Sequence, residues 1–263
     1  MSGAKSAARK VPPGSTVDEA EIRHFAKDST HWWDENGPFK PLHKANPTRL
    51  KYIKAQICAH FGRDENALNA LEGLKILDVG CGGGLVCEPL SRLGAEVTGL
   101  DADENAIEAA KAHAGQNGLS IDYRCMDAID LNEKCDVVLA LEIIEHVPSP
   151  EDFVSMIADK VAPGGLTIFS TLNRTAKSYA LGIVALEYVL RWVPRGTHDW
   201  KKFVKPSEIA RSTRANGLTP GNVCGLTYNP LKDEFKLSQT DTDVNYFIAC
   251  AAPAQKTKAA KKG

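Results

Sequence analysis

Short apolar runs alternate with amphipathic stretches through the middle of the chain, and most of the runs end at an acidic residue or a turn. A strand ending at residue 79 and four others, over residues 97–101, 121–125, 136–141 and 166–171, are predicted from these runs. The fourth is apolar throughout, which is typical of a strand buried on both faces of a parallel sheet. Strands alternating with helices, such as one over residues 104–114, predict an α/β fold with a mostly parallel sheet.

The carboxyl-terminal part is predicted to close this sheet. A helix over residues 206–216 precedes strands at 222–228 and 244–251, which brings the expected number of strands to seven. Residues 236–241 are expected to form a loop at the rim of a pocket.

The amino-terminal part is predicted to be helical. Thr16, followed three residues later by a glutamate, fits a capping box, and apolar residues recur at helical spacing over residues 22–32. A second helix is expected to begin near Pro47. The apolar face of the first helix, which includes Trp32, is expected to pack on the core or to cover the cofactor. Alternatively, Trp32 and Trp33 line a substrate pocket.

A glycine-rich loop directly after the first strand carries the main chemical signal. Its spacing is Gly80-x-Gly82-x-Gly84, which differs from the G-x-G-x-x-G of dinucleotide sites. Asp78 would repel a phosphate but suits a cationic, phosphate-free cofactor, and S-adenosylmethionine has these properties. Asp101, which lies 21 residues after Gly80, is placed to accept the ribose hydroxyls.

Composition makes some partners and some scaffolds less expected for this chain. Its 263 residues are 25% charged with a formal net charge of −1, so no strong positive field favours nucleic acid. Seven cysteines occur without a C-x-x-C pair, which argues against a zinc ribbon or a disulfide scaffold and fits a reducing compartment.

Several further motifs extend the pattern over most of the chain. They are Trp32-Trp33-Asp34, Phe39-Lys40-Pro41-Leu42-His43, Asn46-Pro47-x-Arg49-Leu50, Pro163-Gly164-Gly165, Ser170-Thr171-Leu172-Asn173-Arg174, Pro194-x-Gly196-Thr197-His198-Asp199 and Asp243-Val244-Asn245-Tyr246. With the glycine loop, they make the chain resemble the class I S-adenosylmethionine-dependent methyltransferases. Within that class it is similar to the O-methyltransferases of ubiquinone biosynthesis from about residue 17 to residue 250.

The resemblance implies a Rossmann-like fold: a seven-stranded, mostly parallel sheet with helices on both faces, amino-terminal helices and an apolar insertion after the fifth strand. The expected layout is a single methyltransferase domain over residues 17–253, flanked by a disordered basic tail at 1–16 and a disordered tail at 254–263. Within the domain we expect a helical cap at 17–71, a cofactor-binding core at 72–173, a substrate or membrane insertion at 174–205 and a sheet-closing part at 206–253.

The resemblance also assigns cofactor contacts. Arg49 is expected against the carboxylate of S-adenosylmethionine, since a planar guanidinium suits that partner, although an exposed helix arginine is the alternative. Asp127 follows the third strand, where an adenine edge is read. The full expected cofactor set is Arg49, Asp78, Gly80, Gly82, Gly84, Asp101, Asp127 and Leu141.

The fourth strand runs into Glu142-Ile143-Ile144-Glu145-His146, which brings two carboxylates and an imidazole to the carboxyl edge of the sheet. Because a phenol has a pKa of about 10, its oxygen needs a base or a metal ion before it attacks a methyl group. In one mechanism Glu142, Glu145 and His146 hold Mg²⁺, as the resemblance suggests; in another His146 or His198 is the base. A purely structural role for the Glu-His-Val stretch is the third alternative.

Residues 178–193 form an apolar stretch interrupted by Glu187 and Arg191. The stretch is too short and too charged to span a bilayer, which requires about 20 apolar residues. Cations follow it up to Lys205, so residues 178–205 are expected either to bind an anionic membrane surface or to form a buried lid over the substrate.

The resemblance implies O-methylation of 2-polyprenyl-6-hydroxyphenol and 3-demethylubiquinol. The alternatives are a methyltransferase for a small soluble phenol and a lipid-binding protein that keeps S-adenosylmethionine without turnover. The expected location is the cytoplasmic face of a bacterial inner membrane, or the matrix side in a eukaryote, with a ubiquinone-biosynthesis complex as a candidate partner.

Overall fold

The computed structural model describes residues 26, 28–180 and 199–255. Within them an eight-stranded sheet has the order β3-β2-β1-β4-β5-β8-β6-β7. The strands are β1 Lys75–Val79, β2 Glu96–Asp101, β3 Asp122–Cys125, β4 Cys135–Leu141, β5 Val161–Leu172, β6 Thr219–Asn229, β7 Glu234–Ser238 and β8 Asn245–Ala251. Strands β1 to β5 pair in parallel, whereas β8 is antiparallel to both β5 and β6.

Six α-helices surround the sheet in the described ranges. They are α1 Lys40–Phe61, α2 Cys87–Arg92, α3 Glu104–Gln116, α4 Pro150–Lys160, α5 Ala176–Ser178 and α6 Pro206–Ala215. Asp103 caps α3 by accepting a hydrogen bond from the Asn105 amide at 3.0 Å. Ser149 caps α4 in the same way, and Pro150 follows in the first turn, where its missing N–H leaves no hydrogen bond unmade.

The core lies in two layers, one on each face of the sheet. Adjacent residues of β1 alternate between them: Ile76 packs with α1, α2 and α3, and Leu77 packs with α4 and α6. This alternation is what a strand buried on both faces requires, because successive side chains point to opposite sides. The prediction of helices on both faces is confirmed.

The number of strands and the start of helix α1 differ from the sequence-based expectations. The sheet has eight strands instead of seven, because residues 234–238, part of which were expected to form a loop, pair with β6 as an antiparallel hairpin. Helix α1 begins at Lys40, upstream of the expected start near Pro47. Pro47 removes only one backbone donor, and Ala45 is already buried in the core before it.

Most of the predicted amino-terminal helix, nearly all of both terminal tails and residues 181–198 of the expected insertion at 174–205 lie outside the described residues. In the described end of that helix, Ser29–His31 form a 3-10 helix. In the ranges that are described, no helix combines the length and apolarity needed to cross a membrane.

Candidate active site

The glycine loop follows β1 at the carboxyl edge of the sheet. Gly80, Gly82 and Gly84 have φ of 76°, 52° and 85°, in the left-handed region that favours glycine. The amides of Gly80 and Cys81 both donate to the carbonyl of Leu100, at 2.8 and 2.9 Å, and tie the loop to the end of β2. A methyl group on Gly82 would stand 2.5 Å from the ring of Trp32. The backbone of this loop is therefore fixed in a shape that only glycine fits.

Asp101 lies at the end of β2, beside the loop. One carboxylate oxygen accepts the Gly82 amide at 2.8 Å, and the other accepts the Asp103 amide at 2.9 Å. Burial raises the pKa of Asp101, while these amide hydrogen bonds lower it. Each oxygen of a carboxylate has a second lone pair, so this group can shape the loop and still accept hydroxyl donors from a ribose.

Two buried groups of opposite charge lie beneath the loop. Asp78 is 3% exposed, and burial raises its pKa to about 6, although the thiol of Cys87 donates to it at 3.3 Å. Arg49, on α1, is 6% exposed and close enough for its charge to lower the pKa of Asp78. The buried Nε of Arg49 has no hydrogen-bond partner. An unsatisfied guanidinium donor next to a glycine cradle fits the carboxylate end of an amino-acid cofactor.

Glu142, the first residue after β4, is held from two strands. Ser170 Oγ on β5 donates to one carboxylate oxygen at 2.6 Å, and Asn245 Nδ2 on β8 donates to the other at 2.8 Å. The backbone of Glu142 has a φ of 53°, which is uncommon for a residue other than glycine. Such strain persists where surrounding contacts enforce it, and it is concentrated at functional sites.

Glu145 lies one turn further on, in the 3-10 helix Ile144–His146, and is 4% exposed. Thr171 Oγ1 donates to its carboxylate at 2.8 Å. Burial raises the pKa of Glu145 to about 7; the nearby charge of Glu142 raises it further, and His146 opposes this shift. The carboxyl edge of the sheet therefore contains a buried carboxyl group that titrates near neutrality, next to a half-buried imidazole.

The expected metal site at Glu142, Glu145 and His146 is not formed. Among residues 26, 28–180 and 199–255, no group of three histidine, cysteine, aspartate or glutamate side chains is placed to hold a metal ion. In the present arrangement Ser170 and Asn245 donate to the oxygens of Glu142, while Thr171 donates to Glu145. As placed, these three side chains do not form a site for Mg²⁺.

The other predicted site residues fall in three places. Leu141 is the buried last residue of β4, beside the glycine loop's strand. Asp127 follows β3 and caps a 3-10 turn through the Ile129 amide at 3.1 Å, so its expected adenine contact stays a prediction. His198 lies outside the described residues.

Sequence reasoning did not foresee the residues that support this site. Ser170 and Asn245 belong to motifs that were noted for resemblance alone, and their side chains meet Glu142 only because β5 and β8 pair antiparallel. Trp32 was expected on the core, over the cofactor or, together with Trp33, in a substrate pocket. Trp32 lies on the glycine loop, and Trp33 Nε1 donates to the Gly83 carbonyl at 2.9 Å.

Comparison with known proteins finds relatives that are methyltransferases. A family model described as "Methyltransferase domain" matches residues 50–221. The ubiquinone biosynthesis O-methyltransferase of Bartonella bacilliformis is 53% identical over 237 residues, covering 89% of this chain and 95% of the relative. The protein of the same name from Brucella anthropi is 51% identical over 243 residues, covering 91% and 98%. That from Nitrobacter winogradskyi is 50% identical over 249 residues, covering 94% and 95%.

Solved structures agree in fold. Magnesium protoporphyrin IX methyltransferase from Synechocystis PCC 6803 with bound SAM matches with a TM-score of 0.61 and 18% identity, over 94% of this chain and all 100% of that chain. A possible histamine N-methyltransferase from Thermotoga maritima matches with a TM-score of 0.59 and 16% identity, over 88% and 98%. At these identities the likeness concerns the fold alone.

Proposed function

Because this chain belongs to the ubiquinone biosynthesis O-methyltransferases, which are class I S-adenosylmethionine-dependent enzymes, we propose that it methylates the phenolic oxygens of 2-polyprenyl-6-hydroxyphenol and 3-demethylubiquinol. The observation that carries the proposal is the buried Arg49 Nε without a partner, next to Asp78 and the glycine loop. A carboxylate ligand would accept the hydrogen bond that this Nε lacks.

Arg49, Asp78, Asp101 and the loop would hold the cofactor, which supplies a methyl group on a cationic sulfur. Arg49 pairs with its carboxylate and Asp101 with its ribose hydroxyls, and Asp78 is a buried anion close to the cationic end. Their task is positioning, because displacement at the methyl carbon needs the attacking oxygen, the carbon and the sulfur in line. No side chain forms a covalent bond in this reaction.

The phenolic proton needs an acceptor at the carboxyl edge of the sheet. We assign this task to His146, which the 3-10 helix Ile144–His146 places after β4. Glu142, with both oxygens held by Ser170 and Asn245, offers a fixed acceptor that orients the substrate hydroxyl. His198 is the alternative base.

Single variants separate the two histidines. His146→Ala is expected to lower kcat by about 10²–10⁴-fold, the usual contribution of a general base, and to leave S-adenosylhomocysteine binding intact. His198→Ala should then retain most of the activity. The reverse ranking would move the base to His198, and full activity in both variants would remove general-base catalysis by a histidine.

We also propose that residues 178–205 associate peripherally with the membrane that holds the polyprenyl substrate. The exposed side chains of Lys201, Lys202 and Lys205 favour anionic lipid, and a polyprenyl tail must be approached at a membrane surface. Association with other ubiquinone-biosynthesis enzymes at that surface is part of the same proposal.

Co-sedimentation with phosphatidylglycerol-containing vesicles tests this association. Deleting residues 181–198, or making Lys201→Gln with Lys202→Gln, should reduce the bound fraction, whereas the charge-matched pair Lys51→Gln and Lys111→Gln should not. Negligible binding of the wild-type protein, or equal binding of all four proteins, would overturn the proposal.

A further inference from the structure

Residues 28–39, here called the N-terminal strap, cross the glycine loop. Trp33 Nε1 donates to the Gly83 carbonyl at 2.9 Å. The ring of Trp32 covers the adjacent backbone, where a methyl group on Gly82 would lie only 2.5 Å away. The strap therefore forms a wall against the loop that holds the cofactor.

The indole of Trp33 also packs on a histidine from a different element. Its ring lies over the imidazole of His113, near the end of α3, with 3.4 Å between centroids and 7° between planes. His113 Nδ1 is 2.6 Å from an oxygen of Glu88 on α2, and Glu88 is 3% exposed. The carboxylate of Glu88 thus contacts His113, His113 stacks on Trp33, and Trp33 donates to the glycine loop. These three residues connect a buried carboxylate to the Gly83 carbonyl.

The strap has further anchors among the described residues: the ring of Phe39, which is 7% exposed, stacks on Trp32 with 3.7 Å between centroids. Ser29 donates to Asp103, and the ring of His43 hydrogen-bonds the Trp32 carbonyl at 2.8 Å. Residues 34–36 are exposed. Because a short segment held through individual side chains can open locally, loss of one of these contacts should lower the fraction of time for which the strap is docked.

We infer that Trp33 and His113 are positioning residues for cofactor binding, which act by docking the N-terminal strap on the glycine loop. The inference rests on the proposed use of that loop for S-adenosylmethionine. If only the docked form completes the pocket, the apparent dissociation constant rises in proportion to the fraction of undocked protein.

Calorimetric titration with S-adenosylhomocysteine tests the inference in the full-length protein. Trp33→Ala removes both the ring and the N–H donor, and should raise Kd by about tenfold or more. Trp33→Phe keeps a ring on His113 and should have an intermediate effect. His113→Gln keeps a hydrogen-bonding partner for Glu88 but loses the stack, and should weaken binding by about three- to tenfold.

The matched control is His60→Gln. His60 is also a half-buried histidine, and it bonds the Gly164 carbonyl at 2.9 Å and packs edge-on against Phe61 at the other edge of the sheet. Its substitution should leave the S-adenosylhomocysteine affinity unchanged. Thermal melts confirm that each variant is folded before the titration.

Kinetics distinguish positioning from a general loss of structure. In Trp33→Ala and His113→Gln the KM for S-adenosylmethionine should rise while kcat at saturation stays within about twofold. The double variant should bind hardly more weakly than Trp33→Ala, because both residues serve one contact.

Failure of this inference can be distinguished from failure of the cofactor assignment. If the wild-type protein binds no S-adenosylhomocysteine, the cofactor assignment itself fails. If the wild type binds and both Trp33→Ala and His113→Gln bind equally tightly, the strap does not position the cofactor and the inference is overturned.

Discussion

Asp78 is a buried carboxylate whose ionisation has a cost in the cofactor-free protein. Burial raises its pKa to about 6, whereas an aspartate in an unfolded chain titrates near 3.9. Between these two pH values the folded state binds more protons than the unfolded state, so this group lowers the unfolding free energy as the pH rises. Below about pH 4 both states are protonated and the cost disappears.

Asp78→Asn should therefore raise the unfolding free energy of the cofactor-free protein by about 1–3 kcal/mol at pH 8. The gain should vanish below about pH 4, since the wild-type carboxyl is then neutral in both states. Denaturant unfolding across this pH range measures the effect, with the exposed Asp130→Asn as the control. A gain of the same size at pH 4 and pH 8 would show that ionisation is not its source.

Arg49, unlike Asp78, has a buried hydrogen-bond donor, Nε, that lacks a partner in the cofactor-free protein. Arg49→Met preserves much of the side-chain volume but removes the charge, and should weaken S-adenosylhomocysteine binding by about 10–100-fold. Calorimetry measures this change. An unchanged affinity would mean that the guanidinium does not contact the cofactor.

At the scale of elements, Gly82 of the glycine loop is constrained both by its backbone conformation and by its packing against a ring. Gly82 has a positive φ and lies against Trp32, whereas Gly217 has a φ of 76° with open space around it. Gly82→Ala should destabilise the protein by about 1–3 kcal/mol more than Gly217→Ala, because only the former also meets a ring. Comparing the two by thermal or denaturant unfolding isolates the packing contribution; equal losses would contradict the contact with Trp32.

Most strands of this sheet were predictable because they are largely apolar runs that end at an acidic residue or a turn. Helix α1 was placed too late because Pro47 resembles a helix start, whereas it lies inside the helix and Pro41 is the proline of the first turn. The hairpin strand β7 was missed because it is only five residues long, has a polar residue at every second position and pairs with β6 alone at the end of the sheet. Likewise, the contacts of Glu142 with Ser170 and Asn245 arise from strand register, which composition does not specify.

At the scale of the whole molecule, cofactor binding and folding are linked. A ligand that binds only the native state at 100 times its Kd adds about 2.7 kcal/mol to the unfolding free energy. For a domain of this size, S-adenosylhomocysteine should raise Tm by roughly 5–10 °C. NAD should have no effect, because the loop spacing and Asp78 do not suit a pyrophosphate. An equal rise with NAD would contradict the identification of the loop.

Methyl transfer from S-adenosylmethionine labelled with ¹³C in its methyl group is the most direct test of the central claim. Incubated with the purified protein and a polyprenylated catechol in detergent or vesicles, the label should appear as a methyl ether on a phenolic oxygen, with S-adenosylhomocysteine formed in equal amount. A protein that binds S-adenosylhomocysteine but leaves the catechol unlabelled would contradict the account.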